Sequence, residues 1–224
     1  MQVIHAFVAR RAGGGRTVPV LICEDGVLGE SADILAWADA RMAPELRIYP
    51  DDPAGAEEIR ALQRDFDERL GPQGRLWMYH SLRDRRDLAM DYGCVGVPAW
   101  ERRSLRLGFP LAMRAIDRVL GITSATAEQA MADVRATFEE VEDRLRDGRP
   151  YLCGDRFTAA DLTFSALAAA VLVPPEYGVA LPQPPELPPD AASFVNELRE
   201  RPAGAHALRM FREQRRLAAV AEHA

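Results

Sequence analysis

Residues 162–173 read Leu-Thr-Phe-Ser-Ala-Leu-Ala-Ala-Ala-Val-Leu-Val, and this run constrains the fold more than any other. A helix that is apolar on nearly every side has no face to give to water, so it belongs at the centre of a bundle. The residues ahead of it fix its start. Thr158 is placed to cap the backbone N–H of Asp161, the Asp161 carboxylate to reach back to the N–H of Thr158, and Phe157 to staple onto Leu162 across the first turn. A carboxylate at a buried helix start is costly unless it is hydrogen-bonded, and the capping bonds are its physical justification.

The rest of the second half supplies helices to surround that centre. Residues 56–70 place Ile59, Leu62, Phe66 and Leu70 three and four apart, and residues 76–88 continue the pattern beyond a break at Gly71-Pro72, which predicts a long, bent helix. Residues 104–120, 125–146, 191–199 and 202–218 complete the helical set, and strand signals are absent from this half. Residues 174–189 hold seven of the sixteen prolines, so many fixed φ angles that the segment reads as an extended connector packed on the bundle.

The first fifty residues are organised differently. Val18-Pro-Val-Leu-Ile22 is a short β-branched run, Glu24-Asp-Gly26 supplies turn chemistry, and Val27-Leu28 resumes the apolar pattern, so a β-hairpin is expected. Ser31 then heads a helix with Ile34, Leu35 and Ala38 on one face. The Pro50-Asp-Asp-Pro53 cluster breaks the chain, which sets domains at 1–50 and 51–224.

Charge and cysteine usage remove several classes of function. All 28 basic residues are arginine, so no Schiff-base, phosphate-loop or general-base lysine exists. A net charge of −6 offers no clustered positive footprint for nucleic acid. Cys23, Cys94 and Cys153 form no CxxC pair and His5, His206 and His223 no ligand spacing, so neither a metal nor a disulfide framework is expected, and the histidines read as surface residues. Gly13-Gly-Gly15 lacks the Gly-Lys-Ser/Thr ending of a phosphate loop and reads as a flexible turn. No apolar run reaches the roughly 18 residues of a membrane span, and Met1 to Arg11 is too short and charged for a signal peptide; a cytoplasmic protein without a membrane partner is expected.

A Val-Pro at the head of a strand, a turn, Glu30-Ser31 opening a helix, and then an all-helical half containing Gly154-Asp-Arg-Phe-Thr-Ala-Ala-Asp161 together resemble the cytosolic glutathione S-transferases. The resemblance covers about residues 8–220. It implies a mostly α fold with a small α/β part: an incomplete thioredoxin-like domain, hairpin plus helix, followed by an all-helical C-terminal bundle. It also implies that the Val18–Pro19 peptide is cis, that the Val18 backbone pairs with the cysteinyl backbone of glutathione, and that Glu30 and Ser31 grip the γ-glutamyl end. The physics agrees, since a helix N-terminus offers unpaired N–H groups and positive dipole to a carboxylate. Arg16 reads as a solvated loop arginine or, secondarily, as a partner of a glutathione carboxylate.

In that family a strand, a helix and a second strand precede the Val-Pro strand and carry the serine, tyrosine or cysteine that holds glutathione as thiolate, because a free thiol with pKa about 8.5 is mostly protonated at neutral pH. Seventeen residues precede Val18 and none fits that role, so the catalytic residue is unassigned and an upstream start is expected. The resemblance implies attack of glutathione, as cosubstrate, on a small apolar electrophile, in a homodimer. The alternative is a non-catalytic glutathione-binding or scaffold protein. Trp77, Tyr79 and His80 lie on the helix that lines the electrophile pocket in the family; aromatics at that spacing are more often core. Cys153 reads as inert packing, and the arginines at 209, 212, 215 and 216 are given no function.

Overall fold

The computed structural model describes residues 9–11, 13 and 18–215. Arg16, Gly14, Gly15, His5, Arg216 and His223 lie outside them. The described chain is mostly helical with one two-stranded antiparallel sheet, β1 (Leu21–Cys23) and β2 (Gly26–Leu28), registered Leu21 to Leu28, Ile22 to Val27 and Cys23 to Gly26. α1 (Ser31–Asp39) follows, then α2 (Pro53–Glu68), α3 (Leu70–Leu82), α4 (Arg86–Gly93), α5 (Ala99–Leu120), α6 (Ser124–Leu145), α7 (Ala159–Leu172), α8 (Pro189–Glu200) and α9 (Pro202–Gln214), with 3₁₀ turns at Pro44–Leu46 and Pro184–Glu186.

The all-apolar helix, α7, is the hub. It packs against α2, α3, α8 and α9, and Phe164 at its first turns meets Phe66 at 5.3 Å and Phe138 at 5.5 Å between ring centroids. Its start is held more firmly than the local motif requires. One Asp161 oxygen accepts from Leu152 N (2.8 Å) and lies 3.1 Å from His206 Nε2; the other accepts from Thr158 N (3.0 Å) and from the Thr158 hydroxyl (2.8 Å). His206 is therefore not a surface residue but a buried one, with its other ring nitrogen facing Arg209. The last carbonyls of α7 are taken by Arg199, which reaches Leu172 O at 2.8 Å and Val173 O at 2.7 Å, while Val173 turns left-handed at φ 41°. The proline-rich connector passes there, and Gln183 joins the same cluster.

The helix break between α2 and α3 falls at Arg69, not at Gly71-Pro72. Pro72 sits in the first turn of α3, where an N–H would have no intrahelical partner, so it is tolerated there. Gly71 serves packing instead: a Cβ there would stand 3.3 Å from Leu167, so its bareness lets α3 close on α7, while a Cβ on Gly74 would meet Ala170 at an ordinary contact distance of 3.5 Å. Arg69 bridges the corner to α6 through Asp65 and Glu140. The expected continuation of this helix to residue 88 is corrected to two helices, α3 and α4, and α5 begins at Ala99 behind Pro98, five residues earlier than expected from its apolar spacing.

The segment after α1 is stitched to both parts of the molecule. Asp39 accepts from Ile48 N at 2.6 Å; Ile48 O accepts from Ala159 N at the start of α7; Arg156 donates to the carbonyls of Arg47 and Tyr49. The buried Tyr49 hydroxyl donates to Gln63 on α2, whose amide donates to Thr163 on α7. These bonds fix α1, and with it the hairpin end, against the bundle. No described helix is long and apolar enough to cross a membrane.

Candidate functional site

Because β1 and β2 pair antiparallel from Leu21–Leu28 toward Cys23–Gly26, their open end is the one from which Val18-Pro19 enters and Glu30-Ser31 leaves. The two dipeptides singled out in the sequence thus share one corner. The Val18–Pro19 peptide is cis, and Val18 is 60% exposed. Among the described residues the Val18 backbone has no hydrogen-bond partner.

Glu30 is the N-cap of α1 in an extended conformation, with no side-chain bond to the helix end. The first intrahelical bond runs from Ile34 N to Glu30 O, so the N–H groups of Ser31, Ala32 and Asp33 have no acceptor among the described residues. Ser31 is exposed at the same point. Three free donors, a hydroxyl and the positive end of the helix dipole converge there, which suits a carboxylate.

Sequence reasoning missed one residue. Asp67, near the C-terminal end of α2, has its pKa raised by partial burial and then by the charge of Glu30. The two carboxylates therefore lie within electrostatic reach of each other, beside the α1 N-terminus. No local motif announces Asp67, because only the docking of α1 on the bundle brings it to Glu30. The corner presents open N–H donors on one side and, on the other, two carboxylates close enough to feel each other's charge, suited to an ammonium.

The helix expected to line an acceptor pocket is α3. Trp77 is buried in the core with its ring 5.1 Å from that of Phe194, so it serves packing; Tyr79 and His80 are half-buried. Cys153 packs beside the core, and burial, then the charges of Glu58 and Asp161, push its thiol up to about 11. A thiol so raised is protonated at neutral pH and is no nucleophile. Cys23 is half-buried with its sulfur near Gly26 O.

Residues 124–206 match the family model of the glutathione S-transferase C-terminal domain. Among solved structures, the chain is similar to a glutathione S-transferase from Rhodospirillum rubrum F11 at 19% identity, covering 95% of this chain and 77% of that one with a TM-score of 0.48. It is similar to Gtt2 from Saccharomyces cerevisiae at 18% identity, covering 90% and 79%, TM-score 0.48. It is also similar to a glutathione S-transferase from Methylobacterium radiotolerans, solved with glutathione sulfonate, at 20% identity, covering 86% and 72%, TM-score 0.42. No curated protein matches in sequence.

Proposed function

We propose, starting from the match of residues 124–206 to the family model of the glutathione S-transferase C-terminal domain, that the chain binds glutathione at the corner between the hairpin end and α1, for transfer of the thiolate to small apolar electrophiles. The observation that carries this reading is the charge pattern of the corner. The γ-glutamyl end of glutathione is a zwitterion, an α-carboxylate and an α-ammonium on one carbon. The open N–H groups of α1 and the Ser31 hydroxyl suit the carboxylate; Glu30 and Asp67 suit the ammonium. With no hydrogen-bond partner among the described residues, the Val18 backbone offers the cysteinyl unit an edge to pair with, which orients the sulfur.

No described residue near the corner is poised to deprotonate that sulfur, so the described residues contribute binding and orientation. Tyr79 and His80 on α3 are the candidates for the acceptor side; Trp77 is committed to the core. The homodimer implied by the resemblance belongs to the same reading, and light scattering tests it.

The experiment is a calorimetric titration of the chain with glutathione and with cysteinylglycine, which lacks the γ-glutamyl end, paired with a turnover assay on a chlorinated aromatic. Binding of glutathione but not of cysteinylglycine supports the site. Equal binding of the two, or none, overturns it, and binding without turnover confines the proposal to recognition.

A further inference from the structure

We propose that the outer face of α5 docks on an anionic lipid surface and so holds the protein peripherally at a membrane. α5 has 22 residues, yet only Phe109 is buried, none of its side chains joins the hydrophobic core, and its main packing neighbour is α4. It also lies ahead of residues 124–206, outside the family match, and the inference is independent of the glutathione site.

The helix carries two apolar faces. Leu105, Phe109, Ala112 and Ile116, spaced four, three and four apart, form the face that is buried or half-buried. Trp100, Leu107 and Leu111 lie on the opposite side and are 68%, 77% and 72% exposed. At about 100° per residue those three fall in one narrow stripe, and Trp100 to Leu111 spans about 16 Å of it. Large apolar side chains aligned on one exposed stripe call for an occupant in a way that singly scattered ones do not.

The charges name the occupant. Arg103, Arg114 and Arg118 lie within or beside the stripe, and among the described residues none of them has a carboxylate partner, whereas Arg102, on the other side of the helix, is paired with Asp91. The two acidic residues of α5, Glu101 and Asp117, fall to either side of it. Apolar anchors interleaved with unpaired guanidinium groups match the boundary between acyl chains and anionic headgroups, where tryptophan sits well. A second copy presenting the same stripe would bring like charges together, and a duplex nucleic acid offers phosphates but no apolar bed for the anchors. An in-plane helix is compatible with the lack of a spanning segment, because it lies on the bilayer instead of crossing it.

The test is sedimentation of the full chain with vesicles of equimolar phosphatidylglycerol and phosphatidylcholine against vesicles of phosphatidylcholine alone. Binding to the anionic vesicles, weakened by added salt, is expected. The variant Arg103→Gln/Arg114→Gln/Arg118→Gln should lose on the order of a hundredfold in partitioning, from about fivefold per arginine. A blue shift of tryptophan emission on binding should vanish in Trp100→Phe, because Trp37 and Trp77 lie elsewhere in the fold. Far-UV circular dichroism and thermal unfolding confirm that both variants keep the fold. No binding, equal binding to both vesicle types, a triple variant that partitions like the wild type, or a change of oligomeric mass in the variants would each overturn the proposal.

Discussion

Replacing Asp161 by alanine removes an acceptor at the start of the central helix without touching any contact at the corner between the hairpin end and α1. Asp161 is fully buried, and its carboxylate takes the N–H of Leu152, the N–H and hydroxyl of Thr158, and faces His206 Nε2. In the variant the two backbone N–H groups stay buried with no acceptor, at about 1–3 kcal/mol each, and the histidine loses its partner as well. The sum is about 4 kcal/mol, a large share of the 5–15 kcal/mol typical of a domain. For a chain of this length that corresponds to a fall in Tm of about 8–16 °C. Urea unfolding followed by far-UV circular dichroism reads it directly. A loss below about 1 kcal/mol would refute the reasoning, because the donors would then have found water or other partners, and the carboxylate would not be what holds the start of α7.

Three further outcomes are expected. A Cβ on Gly204 would collide with the Leu198 carbonyl at the α8–α9 corner, so Gly204→Ala should cost about 3 kcal/mol in the same unfolding assay, where most substitutions cost about 1. The thiol of Cys153, pushed up to about 11 from 9.0, should alkylate at pH 8 about a hundredfold more slowly than an unhindered cysteine, as measured by mass spectrometry of iodoacetamide-treated protein; the stability that its neutral form confers is complete below pH 9 and is lost as the pH rises toward 11. Asp67 has a raised pKa, so glutathione affinity should fall as the pH drops through it and the carboxylate that faces the ammonium is neutralised; Asp67→Asn should flatten that pH dependence in calorimetric titrations.

What could be read in the sequence depended on how far apart the interacting residues are. The Thr158–Asp161 motif and the apolar run behind it are local, and both the helix and its central place were legible. His206 lies far along the chain from Asp161, and nothing in its neighbourhood distinguishes it from a surface histidine, so its burial was not. Gly71-Pro72 is a strong breaker on its own, yet the bend formed at Arg69, where the bonds to Asp65 and Glu140 hold the corner and the proline is harmless one turn later. The first residues of α5 carry mixed charge and little periodicity, which hid its start behind Pro98. At the corner, Val18, Pro19, Glu30 and Ser31 are marked by the resemblance to the glutathione S-transferases, not by their local pattern, which strand, turn and helix cap account for equally well. Asp67 does not stand out, because it joins them only through tertiary docking.

The central claim is that the α1 N-terminus holds the γ-glutamyl carboxylate of glutathione. Isothermal titration of Ser31→Ala beside the unaltered chain tests it most directly. Loss of one hydroxyl bond to a charged carboxylate should weaken binding about tenfold or more while Tm stays where it was, because the Ser31 side chain is exposed and makes no intramolecular bond among the described residues. An unchanged dissociation constant would contradict the account.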